Sequence, residues 1–329
     1  MDGLLNPCAR KRLRRELNKQ NITSLHEACF QNQVDCAEKI LNSGADVNAV
    51  INYRTALCDA CEVGSIACTE LLCKMGADVN PQSNCWSPLH IACLNKHVQC
   101  AEILLKYGAH VNSVHYYYGH GTPLFAACSA RSISCTELLL KMGADLNPPN
   151  TLFSPLHIAC SKGYQKITSL LINAGANLSA GTYLDAYLNY SVGIDFIVYL
   201  GTPLHTASFL NRWVCLKLLL QAGALVDETM KDRKTALHIA AMKKHIKVAK
   251  ILIEFGANVY ARDDQNKLPI DLLKKGEFYD LLEQSSVQPV VLKDLCRRKI
   301  RGTLGSQRLK FLPDLNMPKS LVSYLMHIS

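Results

Sequence analysis

Fifteen cysteines and eleven histidines in 329 residues are the side chains here that could do chemistry, as metal ligands, thiolate nucleophiles or a redox pair. Cys58-Asp59-Ala60-Cys61 has dithiol spacing, and His26, His90 and His157 each precede a cysteine by three residues, which puts both on one helix face. Their placement argues for packing. Cys29, Cys61, Cys93, Cys128 and Cys160 share one recurring position, and Cys36, Cys68, Cys100, Cys135 and Cys215 share another. Elsewhere the same two positions hold Ser208, Ala241, Ile167 and Val248. A metal ligand does not exchange with isoleucine or valine, so these cysteines read as small buried residues, and their abundance fits a reducing compartment. His26, His90, His157, His205 and His238 likewise occupy one position. Nothing resembles a nucleophile and base, a glycine-rich phosphate loop or paired carboxylates, so the expectation is a non-enzyme with no catalytic residue, metal or cofactor.

The recurrence defines the elements. Seven segments open with Thr23-Ser24-Leu25-His26, Thr55-Ala56-Leu57-Cys58, Ser87-Pro88-Leu89-His90, Thr122-Pro123-Leu124-Phe125, Ser154-Pro155-Leu156-His157, Thr202-Pro203-Leu204-His205 and Thr235-Ala236-Leu237-His238. Each reaches a Gly-Ala pair, at Gly44, Gly76, Gly108, Gly143, Gly175, Gly223 and Gly256, 21 residues after its opening Thr or Ser. The Thr or Ser caps a first helix with Pro at its first position, and the Gly ends a second helix in a left-handed conformation. Pairs such as Leu104-Leu105, Leu139-Leu140 and Leu219-Leu220 bury that second helix against its neighbours.

This pattern resembles the ankyrin family from residue 23 to 284. The resemblance implies an all-α solenoid of seven helix-turn-helix repeats with hairpin loops, in which the recurring His bonds across the first turn. A basic segment over 1–22 caps one end, and a degenerate repeat at Lys267-Leu268-Pro269-Ile270-Asp271 caps the other.

Hydrophobic residues are 49% and charged residues 19% of the chain, enough for a packed core throughout. The net charge of +9 belongs to the ends, because 1–22 carries six Lys/Arg against two acids, 285–329 eight against two, and the rest nets −1. Nucleic acid is therefore not an expected partner. Neither is a membrane, since no apolar run is long enough to span one and the N-terminus lacks a signal segment. The cytoplasm, and also the nucleus, is the expected location. Arg10 to Arg15 resembles an import run but reads better as a solvated capping helix.

All length variation falls in the hairpins, which run 11, 11, 14, 11, 27, 12 and 11 residues from Gly to the next opening. Insertions on one face of a solenoid mark a binding face. The third carries His115-Tyr116-Tyr117-Tyr118-Gly119-His120. The fifth, with its insert over 179–201, carries Tyr183, Tyr187, Tyr190 and Tyr199. Tyr53, Trp86, Phe153 and Phe209 join Tyr116, Tyr117 and Tyr118 as the expected contacts to a bound protein, because aromatic side chains dominate binding hot spots. Asn48, Asn80, Asn112 and Asn147 sit where related repeats are hydroxylated, but asparagine also simply suits a turn.

The tail over 285–329 departs from the repeat. Leu292, Leu295, Cys296, Ile300 and Leu304 recur at helical spacing among Lys293, Arg297, Arg298, Lys299 and Arg301, an amphipathic helix in a segment too short to hold a core. The order Leu292, Cys296, Ile300 resembles the Elongin-binding motif of a SOCS box, although Val291 stands where that family has a small residue. Leu315-Asn316-Met317-Pro318, followed by Leu321, resembles the cullin-selecting segment, with Asn316 in place of its first proline.

Both motifs behind ankyrin repeats resemble the ankyrin repeat and SOCS box family. That resemblance implies a substrate receptor of a cullin-RING ubiquitin ligase, with a client protein on the repeats. Leu292, Leu295, Cys296 and Ile300 would meet Elongin B and Elongin C, and Leu315, Met317, Pro318 and Leu321 would meet Cullin-5 with its RING-box protein. All chemistry would belong to those partners.

Overall fold

The computed structural model describes residues 24–81, 87–114, 121–149, 153–181, 201–230 and 232–273, with the isolated positions 276, 279, 280, 282, 283, 300 and 322. Two compact units divide the chain, residues 1–145 and 146–329. The first contains α1 (24–30) and α2 (Val34–Asn42), α3 (Ala56–Val63) and α4 (Ile66–Lys74), α5 (Pro88–Leu94) and α6 (Val98–Lys106), and α7 (Pro123–Ser129) and α8 (Ile133–Lys141). The second contains α9 (Pro155–Lys162) and α10 (Gln165–Asn173), α11 (Pro203–Phe209) and α12 (Trp213–Gln221), and α13 (Ala236–Lys243) and α14 (Ile246–Glu254), followed by a 3-10 turn at Pro269–Leu272. Within the units these are the expected repeats. First helices pack on first helices, α3 on α5 on α7 and α9 on α11 on α13, while second helices pack on second helices.

Helix starts follow from side-chain caps. Ser87, Thr122, Ser154 and Thr235 each accept the amide three residues on through the side-chain oxygen, and Pro88, Pro123, Pro155 and Pro203 take the first helical position. Each such cap contributes about 1 kcal/mol. Second helices end where the seven predicted glycines adopt φ between 78° and 97°, as at Gly143 and Gly223. Gly76 N donates to the Cys73 carbonyl and Ala77 N to that of Leu72, which closes the helix end.

The two helices of a repeat meet at a tight turn with one left-handed residue: Asn32, Gly64, Lys96, Arg131, Gly163, Asn211 or Lys244. At Gly64 a Cβ would also lie 2.3 Å from His97 Nδ1. That ring donates from Nε2 to the Glu62 carbonyl, 3.1 Å away, and so pins one inter-helix turn to the next. Arg212 Nε to Ser161 O at 3.0 Å and His245 Nδ1 to Ser208 O at 2.9 Å do the same in the second unit.

The core is the leucine recurrence. Leu57, Leu89 and Leu124 from first helices and Leu72, Leu104 and Leu139 from second helices are fully buried, as are Leu156, Leu204, Leu171 and Leu219 in the second unit. Full burial of one such side chain stabilises by about 2 kcal/mol.

The hairpins are joined by asparagines. Asn48 Oδ1 accepts from Asp78 N at 2.7 Å and its Nδ2 donates to Gly76 O at 3.3 Å. Asn80 repeats both contacts with His110 N and Gly108 O. Asn112 accepts from Asp145 N, Asn147 from Asn177 N, and Asp227 takes the role toward Asn258 N. Asp46 and Asp78 in turn accept from the amides of Asn48 and Asn80.

Two expectations change. Leu268, not Lys267, caps the closing 3-10 turn, with its amide on Asp271 Oδ2 at 2.8 Å, so the last hairpin is one residue longer than its spacing implied. Cys36 is exposed although its repeat position is a core position. That position faces the preceding repeat, and Cys36 belongs to the first of the seven.

Candidate binding surfaces

The recurring histidines are clamps. Nδ1 of His90, His157, His205 and His238 lies 2.8, 2.8, 2.9 and 2.9 Å from the hydroxyl of its own cap residue. The amides of Ser154, Thr202 and Thr235 also donate to that nitrogen, which makes it the acceptor and leaves the proton on Nε2. Nε2 then donates forward to the hairpin of the following repeat: His90 to Gly121 O, His157 to Gly201 O and His238 to Lys267 O, at 3.2, 3.1 and 3.2 Å. His205 Nε2 faces the Lys234 and Glu228 carbonyls without meeting hydrogen-bond geometry. Burial holds His157 and His205 neutral, with pKa values lowered to about 4, and lowers His238 as well. His26 extends the clamp to a carboxylate, with Nδ1 2.6 Å from Asp59 Oδ2 and Nε2 3.2 Å from Ala49 O. Arg54 Nε stands 3.1 Å from the other oxygen of Asp59.

The cysteines pack in pairs between repeats. The free thiol of Cys29 neighbours that of Cys68, Cys93 that of Cys135, and Cys160 that of Cys215, each pair spanning the first helix of one repeat and the second helix of the next. Burial raises Cys61, and pushes Cys128 up to about 12, so these thiols stay protonated and weakly nucleophilic. Cys58 and Cys61 are both buried in α3, and no group of three potential metal ligands forms among the described residues.

Of the aromatic positions read from the sequence, three are described. Tyr53 ends a two-residue turn between β1 (Val50–Ile51) and β2 (Arg54–Thr55), an antiparallel pair with Val50 opposite Thr55. Asn52 and Tyr53 both take positive φ, 50° and 65°, and the Tyr53 side chain is 70% exposed. A tyrosine held there in the left-handed region and in solvent has no packing role to explain it. Phe153 lies half-buried at the hairpin end of α9, edge-on to His157 with ring centroids 6.4 Å apart. Phe209 lies at the other end of a first helix, the C-terminus of α11, with Lys243 Nζ 4.1 Å from its ring centroid. Phe153 and Phe209 therefore sit at opposite ends of first helices. Trp86, Tyr116, Tyr117 and Tyr118 lie outside the described residues.

Exposed apolar side chains that the spacing did not single out include Val50, Trp213 and a recurring set at the end of second helices, Met75, Tyr107 and Met142. Their signal was the residue before each Gly-Ala pair. In the tail, Ile300 is helical and 39% exposed. Leu292, Leu295, Cys296, Leu315, Met317, Pro318 and Leu321 lie outside the described residues. No described helix is long and apolar enough to cross a membrane.

Comparison with known proteins agrees with this architecture. The family model for ankyrin repeats matches residues 25–115, 117–182 and 187–263, and that for the SOCS box matches residues 288–326. Rabbit (Oryctolagus cuniculus) ankyrin repeat and SOCS box protein 5 is 36% identical over 147 residues, 44% of each chain. Human (Homo sapiens) ankyrin repeat and SOCS box protein 9 is 35% identical over 132 residues, 40% of this chain and 45% of the relative. The matched segment thus spans less than half the length of these curated relatives. The crystal structure of the human ASB11 ankyrin repeat domain superposes with a TM-score of 0.55 at 29% identity, covering 81% of this chain and 99% of that one. With ankyrin repeats matched over most of the chain and a SOCS box behind them, this chain belongs to the ankyrin repeat and SOCS box family.

Proposed function

We propose that the chain is a substrate receptor of an Elongin-cullin-SOCS-box ubiquitin ligase, holding a client protein on its repeats for ubiquitination and proteasomal degradation. The observation that carries this reading is a SOCS box at residues 288–326 behind ankyrin repeats whose recurring histidines are committed to internal clamps. In this reading Leu292, Leu295, Cys296 and Ile300 face Elongin C within its pair with Elongin B. Leu315, Met317, Pro318 and Leu321 select Cullin-5 and its RING-box protein, and Tyr53, Phe153 and Phe209, with Trp86 and Tyr116 to Tyr118, contribute to the client surface. The receptor is not itself an enzyme. It raises the effective concentration of client lysines beside a charged conjugating enzyme, and the partners supply the chemistry. In the same reading segment 1–22, which lies outside the described residues, would cap the repeats, and the work is done in the cytoplasm or nucleus.

Replacing Leu292 and Cys296 with Asp is expected to abolish Elongin recovery while the melting of the repeats is unchanged; retained Elongin overturns the tail assignment. Leu315→Ala with Pro318→Ala is expected to weaken cullin recovery and spare Elongin. Asn316, where the cullin-selecting segment has proline, favours one other reading, a scaffold that binds Elongin without ubiquitin transfer. A reconstituted reaction with Asn316→Pro beside the native chain separates the two: a gain of transfer from nothing supports the scaffold.

A further inference from the structure

The near-neutral body of the chain conceals a segregation of charge. In the three helix pairs of the second unit, from the residue after each opening Thr or Ser to the terminal Gly, eight Lys/Arg stand against a single acid, Glu254. The four pairs of the first unit carry six against eight. The second unit's other acids, such as Asp227, Asp232 and Asp263, lie in its hairpins and closing turn. Because the two helices of a repeat are joined by a tight turn, the hairpins and the inter-helix turns stand at opposite ends of each pair. The cations gather at the turn end. Lys162, Lys166, Arg212, Lys243, Lys244 and Lys247 occupy the last residues of first helices, the inter-helix turns and the first residues of second helices, all six exposed and none in an ion pair with a described residue.

Apolar surface lies among them. Met242 and Trp213 are 37% and 38% exposed, and Phe209 is half-buried beside them. Lys247 Nζ sits 3.4 Å from the Trp213 ring centroid and Lys243 Nζ 4.1 Å from that of Phe209. These contacts hold two ammonium groups in place while leaving their remaining protons for an acceptor. The His245 bond to the Ser208 carbonyl fixes the turn carrying Lys244 against the end of α11, so the patch is preorganised rather than a set of free side chains.

We propose that this edge docks an acidic segment of the client, carboxylates on the turn lysines and an apolar side chain against Met242 and Trp213. The proposal rests on the reading of the repeats as a client receptor and adds the chemistry of what they recognise. A polypeptide suits the site better than a nucleic acid. Stacked bases need free ring faces, whereas an ammonium group already lies over both rings, and exposed Met242 offers no partner to a base or phosphate.

The test uses the full chain and a short fluorescent peptide of Glu and Asp interrupted by Leu and Phe, with its Gln and Asn counterpart as control. A single-stranded oligonucleotide and phosphatidylserine vesicles stand for the other anionic partners. The acidic peptide is expected to bind, more weakly as salt rises. Combined Lys243→Glu, Lys244→Glu and Lys247→Glu is expected to weaken it at least about tenfold. Trp213→Ala with Met242→Ala should also weaken it, and the equal charge change in the first unit, Lys96→Glu, Lys106→Glu and Lys141→Glu, should leave it unaltered. If the Glu variant fails to melt cooperatively, the Gln variant at the same three positions replaces it. Equal binding of the amide peptide, equal loss in the first-unit variant, or preference for the oligonucleotide or vesicles overturns the proposal. Elongin recovery on the same variants separates the two readings. A chain that binds peptide but no Elongin removes the receptor reading alone, and one that binds Elongin but no peptide removes this edge alone.

Discussion

At the scale of single residues, the recurring histidine makes the fold sensitive to acid. In the neutral ring Nδ1 accepts from a hydroxyl and an amide, and a proton placed there would face two donors in a buried site. His157 and His205 are held near pKa 4, below the roughly 6.5 of an unfolded histidine. The unfolded chain therefore binds the proton first. Stability is complete above about pH 6.5 and falls as pH drops toward 4, by on the order of 3 kcal/mol for each ring. Urea unfolding from pH 7 to 4 should show this slope, and His157→Leu should flatten it; an unchanged slope would remove His157 as its source. Glycine acts through backbone and space. Gly64→Ala places a Cβ at φ +74° and 2.3 Å from His97 Nδ1, whereas Gly76→Ala meets nothing within 4 Å. The second should destabilise by about 1 kcal/mol and the first by about 2 to 3, with the His97 contact to Glu62 lost. Equal effects on the urea midpoint would show that His97 moves aside freely.

Among elements, the hairpins couple neighbouring repeats as the helices do. Asn80 bridges to Gly108 O and His110 N on the next hairpin in an exposed setting, so Asn80→Ala should lose about 1 kcal/mol. Hydrogen exchange should quicken in the hairpins on both sides while protection of Leu104 amide persists; loss confined to residue 80 would mean that the ladder carries no coupling. The helices were legible because caps and left-handed ends demand particular residues at a constant interval, Thr or Ser at one end and Gly at the other. The inter-helix turns were not. Lys96, Arg131 and Lys244 adopt the conformation that glycine takes at Gly64 and Gly163, and side chains without that preference do not announce it. The asparagine ladder was half legible: the turn was visible in the recurrence of Asn48, Asn80, Asn112 and Asn147, but a bond to a residue thirty positions onward has no local trace.

For the whole molecule, charge shows why a summed composition misleads. A body netting −1 gave no reason to look for a cationic edge, and only the placement of acids in the second unit's hairpins and lysines at its turns reveals one. The tail was legible for a different reason: Leu292, Cys296 and Ile300 and then Leu315-Asn316-Met317-Pro318 follow the SOCS box order without reference to the fold of the repeats. That independence permits a decisive experiment on function. Repeat stability comes from nearest neighbours, so a chain ending at Ser286 should retain folded repeats and the client surface while losing Elongin and cullin. In cells the full chain would hand its client to degradation, whereas the shortened chain would keep it. Proteins recovered with the shortened chain should therefore include species missing from the full chain, and proteasome inhibition should erase the difference. Identical recoveries with and without inhibition would point to the scaffold reading. Species lost on shortening, other than the ligase subunits, would show that the last residues hold the client themselves.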